Sequence, residues 1–566
     1  MNRRSAFLSR AFFLAGGLLV LWMTFVRTGP PDSISGEGKD GDGSVERIMA
    51  DVKEITRKPR PMGSPEINRV RNYLIDRLEK MKISPNLQEE TVPDYFDVVP
   101  DSDRATMVNI LARLPGTRPT KAVALMGHYD SVPQTPGAND NASAVACLLE
   151  TVRLIQNGPP LENDVILILT DGEEPAPRYG SSAFVQRHPW FRDIGLVVNL
   201  DALGATGPST LLETGGDNFQ LVREFRKAVP FPVAFSYTYD ILRRIPDNPT
   251  DFGPFLKAEI PGYNLAYSQE SMIYHTPLDR ADRIDPRSLS HHGSNALSLA
   301  RHFGHFDFSR EDFSGPGEAV YFSIWRRFLI AYPQAWARLL LLIATLGLGI
   351  LFAFLWRTGP RPLSRVGRGI CLQLAYILAS LVSTGFAWWL IVGFRLDSWL
   401  WGMALAGLVF ALSKSVLAIK WSRNGIPAVL EGGLFWWWFF CLVATFLLPG
   451  WSCLFLWPLL IALGGIALVR FGLNKLSRTF PREGVALAVA SAMILILLPV
   501  VVDFYHLAQP RPGNPDSQTI QIIVLPALFL SLFFGIVGPL GKIFSVRQSG
   551  QEKTRLREFK KKEMIL

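Results

Sequence analysis

Two kinds of hydrophobic pattern occur along the chain. Between residues 45 and about 308, short apolar runs alternate with stretches in which apolar positions recur every three or four residues. The short runs are typical of buried strands and the recurring positions of amphipathic helices. Strands are predicted at 109–114, 122–127, 164–170, 195–200 and 209–214, and helices at 45–56, 65–82, 141–156, 180–188, 217–228 and 287–303. This alternation indicates an α/β domain with a mixed, mostly parallel central sheet flanked by helices.

Beyond residue 336 the apolar runs are much longer. Most approach the roughly 20 residues that a bilayer core requires. Seven such runs lie at 339–356, 370–394, 398–419, 427–448, 453–469, 484–505 and 520–541. Near the start, another apolar run follows Arg3, Arg4 and Arg10; we favour an uncleaved signal anchor over a cleaved signal peptide. These runs predict an all-α, multi-pass transmembrane domain after the α/β domain.

Six regions follow from these patterns. They are a signal-anchor helix at 1–30, a linker at 31–43, a soluble α/β domain at 44–310, a second linker at 311–335, a transmembrane domain of about seven helices at 336–545, and a basic tail at 546–566. The first linker is rich in Gly, Ser and Asp, a composition typical of flexible connections.

Charge supports a membrane topology. The 566 residues include 58 Lys and Arg against 49 Asp and Glu, and the basic residues cluster at the ends of the apolar runs. With both termini in the cytoplasm, nearly all of these clusters lie on the cytoplasmic side, and the short loops opposite contain only Arg395 and Arg511. The soluble domain is then extracytoplasmic, in a periplasm, a lumen or the exterior. The pattern predicts contact with lipid and not with nucleic acid, and it leaves the oligomeric state open.

Acids and histidines follow the predicted central strands. His128 and Asp130 follow 122–127, Glu173 and Glu174 follow 164–170, and Asp201 follows 195–200. Two further candidates lie in loops, Asp140 and His275. Because the carboxyl ends of parallel strands meet at one edge of a sheet, these side chains are expected to converge there. The four cysteines lack metal-site spacing, so a metal ion would be bound by nitrogen and oxygen.

Taken singly, each of these residues has a simpler explanation. Asp140, or Asn141 beside it, could cap the helix predicted at 141–156. Asp201 could be a turn residue, and the pair Glu173 and Glu174 could lie on a solvated surface. Only their joint occurrence at strand ends indicates a metal site.

Four segments resemble, in the same order, the signatures of the co-catalytic di-zinc aminopeptidase family. They are HYDSVPQTPGANDNASAVACLLE, DGEEPAPRYGSSAF, NLDALG and YHTPLD. The similarity covers roughly residues 55–305. An anchored peptidase domain followed by many spans is similar to the Fxna-type endoplasmic-reticulum metallopeptidases and the vacuolar membrane proteases.

The resemblance implies a zinc-exopeptidase fold and two Zn²⁺ ions per chain. His128 and Asp201 would hold one ion, Glu174 and His275 the other, and Asp140 would bridge both. Glu173 would be the general base, and Asp130 would accept the other ring N–H of His128 and fix its orientation. The implied activity is removal of N-terminal residues from peptide substrates.

Departures from the family pattern leave alternatives open. The segment PAPRYGSS follows the glutamate pair, which leaves the side-chain preference undecided. Phe252 stands where related glutaminyl cyclases tend to have histidine, which weakens a glutaminyl-peptide cyclotransferase. A non-catalytic receptor or transport-associated protein is a further alternative. Tyr237 and Tyr239 are candidates for assisting an oxyanion, and His291 and His292 are interpreted as structural or solvated.

Overall fold

The structure, a computed structural model, describes residues 3–31, 44–174, 178–245, 250–310, 313, 315–358, 362–393, 426–468 and 482–507. Its contacts divide the described residues into two units, one within residues 27–334, the other formed by residues up to 26 and from 335 onward. The helices are α1 (Arg3–Val26), α2 (Val45–Ile55), α3 (Pro65–Lys80), α4 (Ala144–Gln156), α5 (Tyr179–Arg187), α6 (Phe219–Ala228), α7 (Ser236–Leu242), α8 (Phe252–Lys257), α9 (Pro286–Gly304), α10 (Gln334–Thr358), α11 (Pro362–Gly393), α12 (Ile426–Leu447), α13 (Ser452–Ala467) and α14 (Arg482–Leu507).

A seven-stranded mixed sheet forms the centre of the first unit. Its strands are β1 (Asn86–Pro93), β2 (Arg104–Leu114), β3 (Ala122–His128), β4 (Asp164–Thr170), β5 (Ile194–Ala202), β6 (Thr210–Thr214) and β7 (Gly262–Tyr267), in the order β1-β2-β4-β3-β5-β7-β6. Strands β4, β3, β5 and β7 run parallel, whereas β1, β2 and β6 pair antiparallel with their neighbours. The predicted fold class, a mixed sheet with a parallel centre, is confirmed.

Helices cover both faces of this sheet. Along β3, Val123 and Leu125 pack into the larger hydrophobic core with residues of α4 and α9. The alternate residues Ala124 and Met126 pack into a second core with Phe184 of α5 and residues of α8. Successive side chains of a strand point to opposite faces, so a strand buried on both faces must be apolar throughout. This explains why the central strands were visible in the sequence as uninterrupted apolar runs.

A β-hairpin lies in the segment that we predicted as the second linker. Strands β8 (Ala319–Ile324) and β9 (Phe328–Pro333) pair antiparallel, and every residue of β8 before Ile324 is buried. The unit at 27–334 therefore includes ordered structure beyond residue 310.

The described part of the second unit consists mainly of long apolar helices. Among the residues that the structure describes, three segments are long and apolar enough to cross a membrane, Gln334–Phe354, Leu430–Leu447 and Pro449–Ala467. A Cβ atom on Gly432 of α12 would lie 2.1 Å from the carbonyl oxygen of Gly369 in α11, so this close contact requires glycine. The predicted spans at 398–419 and 520–541 lie outside the described residues. The number of spans and their orientation remain predictions.

Candidate metal centre

The parallel strands place the predicted ligands at one edge of the sheet. His128 is the last residue of β3, and Asp201 is the last but one residue of β5. Glu173 and Glu174 follow the end of β4 by a few residues. Because β4, β3 and β5 are adjacent and parallel, their carboxyl ends open on the same cleft, where α/β sheets bind ligands.

The Nε2 atom of His128 lies within 4 Å of three carboxylates. Its Nε2 atom is 3.2 Å from Oδ1 of Asp140, 3.8 Å from Oδ1 of Asp201 and 3.9 Å from Oε2 of Glu173. The imidazole is almost completely buried, with 3% of its side chain exposed. This group forms one half of the candidate centre.

His275 forms the other half. Its Nε2 atom is 3.0 Å from Oε2 of Glu174 and 3.2 Å from Oδ2 of Asp140. The ring of Tyr274, which sequence reasoning missed, stacks on the imidazole with 3.8 Å between ring centroids. The two oxygens of Asp140 thus face two different histidines, and the adjacent residues Glu173 and Glu174 also turn toward different histidines.

The two histidines and the carboxylates around them, His128, Asp140, Glu173, Glu174, Asp201 and His275, are called the cage below. Asp130 lies behind the cage and connects the ends of β3 and β4. Its Oδ1 atom lies 3.3 Å from Nδ1 of His128, although the two atoms are not aligned as a hydrogen bond. Its two carboxylate oxygens accept hydrogen bonds from the backbone N–H groups of Glu173 and Glu174. The structure therefore brings together all seven predicted site residues, and Asp130 contacts both His128 and the glutamate pair.

The loop around Asp140 does not cap the following helix as predicted. Helix α4 begins at Ala144, and no side chain caps its first turn. Asn141 donates a hydrogen bond to the carbonyl of Leu200, while Asp140 points toward the histidines. The capping prediction is wrong because both side chains are engaged by β5 and the cage.

Asp279 holds this loop in place and was missed as a functional residue. Its Oδ1 atom accepts hydrogen bonds from the backbone N–H and side-chain amide of Asn139, each at 2.8 Å. Its Oδ2 atom accepts the backbone N–H of Asp140 at 3.1 Å. Asp279 is the last residue of the segment YHTPLD. The motif therefore includes this residue but does not reveal that it binds Asn139 and Asp140.

The electrostatics show an excess of negative charge. Burial raises the pKa of Glu173 well above its usual range, and burial together with Asp140 raises that of Glu174 to about 7. Burial opposes a charge on His275, but Glu174 and Asp140 outweigh it and raise the pKa of the imidazole to about 10. A cation is the natural partner for such a cluster.

Several buried polar atoms of the cage lack a hydrogen-bond partner within the described part of the chain. They are His128 Nδ1, Asp140 Oδ2, Glu174 Oε1 and His275 Nε2. Buried polar atoms are rarely left unsatisfied, so this concentration at one place marks a site for a ligand. His128, Asp140 and Glu174 can each direct one ligand atom to a common point, with all three atoms within 4.8 Å of one another.

Other residues singled out in the sequence lie away from the cage contacts. His291 and His292 are buried in α9, which confirms a structural role over a solvated one. Phe252 is fully buried in the second hydrophobic core. The hydroxyl of Tyr239 faces Glu318, and its ring lies under Arg243. Tyr237 is buried.

The fold and the carboxylate–histidine cage together define a metallopeptidase-type α/β domain. Residues 109–300 match the family model described as Peptidase family M28, which identifies this part of the chain as a domain of that family.

Relatives include two eukaryotic membrane proteins. The chain is 30% identical over 292 residues to Endoplasmic reticulum metallopeptidase 1 of Homo sapiens, an alignment covering 49% of this chain and 32% of that protein. It is 32% identical over 257 residues to the Vacuolar membrane protease of Candida dubliniensis, covering 44% and 27%. The chain thus spans about a third of the length of these relatives.

Solved structures of enzymes with two different activities are similar to part of this chain. BSAP, a zinc aminopeptidase from Bacillus subtilis, is 14% identical with a TM-score of 0.38, covering 49% of this chain and 98% of that structure. Porphyromonas gingivalis glutaminyl cyclase is 18% identical with a TM-score of 0.36, covering 46% and 98%. These scores do not choose between the two activities.

Proposed function

We propose that the protein is a membrane-bound di-zinc aminopeptidase. The observation that carries this proposal is the position of Asp140, whose two oxygens each lie 3.2 Å from the Nε2 atom of a different histidine. Each histidine has a second carboxylate beside it, Asp201 for His128 and Glu174 for His275. Two half-sites that share one carboxylate are the arrangement expected for two neighbouring cations with an anionic bridge.

The residues fit zinc. Two atoms that each lie about 2.0–2.1 Å from a common tetrahedral zinc ion are about 3.3 Å apart. The distances from the two histidine nitrogens to Asp140, Asp201 and Glu174 span 3.0–3.8 Å, and two of the atoms that face one another, His275 Nε2 and Asp140 Oδ2, have no hydrogen-bond partner among the described residues. Imidazole and carboxylate together are a ligand set that zinc accepts. His128, Asp140, Asp201, Glu174 and His275 would hold the ions.

The chemistry divides between the ions and Glu173. When bound, zinc lowers the pKa of water and polarises a carbonyl group. Glu173 lies beside His128 with its Oε2 atom 3.9 Å from Nε2, and it has no contact with His275 among the described ion pairs. Its carboxylate would take a proton from the attacking water and return it to the leaving amine. Asp130 would hold His128 and the backbone of Glu173 in fixed positions relative to each other.

The proposed substrates are peptides with a free N-terminus. In this family the α-amino group commonly contacts one metal ion, so the cage is suited to an exopeptidase. Glutaminyl cyclisation is the weaker alternative, because Phe252 is an apolar core residue at the position where related cyclases tend to have histidine.

The test is the variant Glu173→Gln in the full-length protein. Removal of the proton acceptor is expected to lower aminopeptidase turnover by roughly 10²–10⁴-fold while zinc remains bound, because general-base catalysis contributes about that much. Zinc content is measured by mass spectrometry and turnover with N-terminal amino-acid reporter substrates. Glu162→Gln, at a half-exposed residue that pairs with Arg118, is the matched control and should leave both unchanged. Full turnover in Glu173→Gln would refute the assigned base.

A second measurement separates hydrolysis from cyclisation. Peptides that begin with glutamine release free glutamine when hydrolysed and ammonia when cyclised. An aminopeptidase gives the first product, and ammonia as the main product would replace this proposal with the cyclase.

The domain is proposed to face away from the cytoplasm. The arginines at positions 3, 4 and 10 lie in the first part of α1, ahead of its long apolar run, and favour a cytoplasmic start. The names of the two curated relatives, which refer to the endoplasmic reticulum and to a vacuolar membrane, are compatible with a lumenal domain. Protease added to sealed vesicles of known orientation should spare residues 44–310 when the cytoplasmic side faces out; digestion of the domain there would reverse the topology.

A further inference from the structure

Arg60 is a buried arginine whose role the proposed mechanism leaves open. It lies between α2 and α3, and none of its side-chain surface is exposed. A guanidinium group carries five N–H donors and is costly to bury unless these donors are satisfied. No ion pair of the described residues involves Arg60, so its partners must be sought elsewhere.

All hydrogen bonds of Arg60 go to the loop that joins the two halves of the cage. The guanidinium donates to the carbonyls of Tyr129 at 2.5 Å and Gly137 at 3.0 Å, and to that of Pro136. Its backbone N–H donates to the hydroxyl of Ser131, and its carbonyl accepts the backbone N–H of the same residue. One side chain thus ties down both ends of the segment between His128 and Asp140.

Gly137 lies between the guanidinium of Arg60 and the backbone of Asp140. Its φ angle is +62°, and a Cβ atom there would lie 2.4 Å from the carbonyl oxygen of Asp140 and 3.2 Å from Nη1 of Arg60. Only glycine lets the guanidinium and the Asp140 backbone approach so closely. A shift of Arg60 would therefore move the backbone that carries Asp140.

The charge of Arg60 also suits this place. Burial lowers the pKa of its guanidinium to about 10, while Asp130, Asp279, Asp140 and Glu174 act in the opposite direction, so the group stays charged at neutral pH. Of these four carboxylates, Asp130 and Asp279 have no proposed zinc ion as partner. A fixed positive charge behind the loop offsets them without occupying the cage.

We propose that Arg60 is a positioning residue for the metal centre, holding the 129–137 loop so that Asp140 faces both histidines. This inference rests on the proposed function, since it concerns the binding of zinc. Residues behind metal ligands typically change metal affinity by about 10–100-fold when altered.

Three variants of the full-length protein test the inference. Arg60→Lys keeps the charge but cannot reach three carbonyls at once, and Arg60→Met removes the charge as well. Gly137→Ala displaces the loop without changing Arg60. The control is Arg77→Lys, because Arg77 joins α3 to α2 through Asp51 by two hydrogen bonds and does not contact the loop.

Zinc affinity is measured by competition with a coloured chelator, and thermal unfolding is followed in parallel. We expect Arg60→Lys and Gly137→Ala to bind zinc about 10–100-fold more weakly, and added zinc to restore turnover in both. Arg77→Lys should lower the unfolding temperature without changing zinc affinity.

Wild-type zinc affinity in Arg60→Lys and Gly137→Ala would overturn the inference and leave the proposed function intact. If Arg60→Met does not fold, the other two variants decide. Absence of zinc binding in the wild-type protein would instead overturn the proposed function itself.

Discussion

His128 and His275 in the candidate metal centre and His291 and His292 in helix α9 are two pairs of histidines in one domain. The first pair faces the carboxylates of Asp140, Glu174, Asp201 and Glu173. The second pair faces neutral groups: His291 accepts the backbone N–H of Ser209 and lies 3.0 Å from the carbonyl of Phe231, and His292 lies 2.8 Å from the hydroxyl of Ser209.

The two environments move the pKa in opposite directions. Although burial opposes charge at both places, the carboxylates raise the pKa of His128 and His275. In α9, where no carboxylate compensates, burial lowers the pKa of His291 to about 4 and that of His292 to about 3. Neighbouring groups, and not the residue type, decide whether a buried histidine is suited to a metal ion or to a neutral hydrogen-bond network.

The largest effect is expected for Asp140→Asn. This change removes the one negative charge that both cations would share, and metal ions supply several kcal/mol of charge stabilisation, so turnover should fall by about 10³-fold or more. Turnover and zinc content of the purified variant are the measurements. An active variant with two zinc ions would show that the two half-sites do not depend on a shared carboxylate.

Removal of zinc should come next in size. A ligand at 1,000 times its Kd stabilises the folded state by about 4 kcal/mol, and in a domain of this size each kcal/mol corresponds to roughly 2–4 °C. Chelation should therefore lower the unfolding temperature of the wild-type domain by about 8 °C or more. Asp140→Asn should respond much less to the chelator. An equal response in both would locate the stabilising metal outside the cage.

A smaller, pH-dependent effect is expected in α9. Because the folded pKa of His292 lies below its unfolded value of about 6.5, the unfolded state binds more protons between these values. The stabilisation that neutral His292 provides is complete above pH 6.5 and is lost as the pH falls toward 3. At pH 5 the loss amounts to about 2 kcal/mol. His292→Asn, which keeps an acceptor for Ser209 but does not titrate, should unfold with a shallower dependence on pH. A dependence as steep as in the wild type would assign the acid sensitivity to other groups.

A change in stability of similar size, with no change in zinc binding or turnover, is expected for Ser209→Ala. It leaves Nδ1 of His292 without its partner, which should cost about 1–3 kcal/mol of unfolding free energy. Zinc content and turnover should stay at wild-type values, because the described hydrogen bonds of Ser209 all go to residues of α9, namely His291, His292 and Asn295. Loss of zinc in this variant would mean that the two histidine regions are coupled and would weaken the comparison.

The sequence predicted the centre of the fold better than its edges. Strands β3, β4 and β5 are buried on both faces, so their apolar runs identify them without ambiguity. Strand β1 was missed because five of its eight residues are exposed and its sequence, NLQEETVP, is polar. Strand β7 was missed because its apolar run is broken by Asn264, which pairs with Asn199 of β5.

In the candidate site, the residues at strand ends could be predicted from the sequence. The residues that hold them in place could not. The strand ends and the motifs together pointed to His128, Glu173, Glu174 and Asp201. Asp279 acts on Asn139 across 140 positions of sequence, and such a contact has no local signature. Asp140 is the opposite case. Its local sequence favoured a helix cap, but in the folded domain its carboxylate faces His128 and His275.

The order in which the cage residues occur along the chain sets when the centre can exist during synthesis. A chain that has emerged only through β5 already contains His128, Asp140 and Asp201, but neither His275 nor Asp279, which holds the backbone of Asp140. One half-site is then missing, and the shared carboxylate lacks its clamp. The cage therefore stays incomplete until β7 and the following loop have been translated and β7 has joined the sheet.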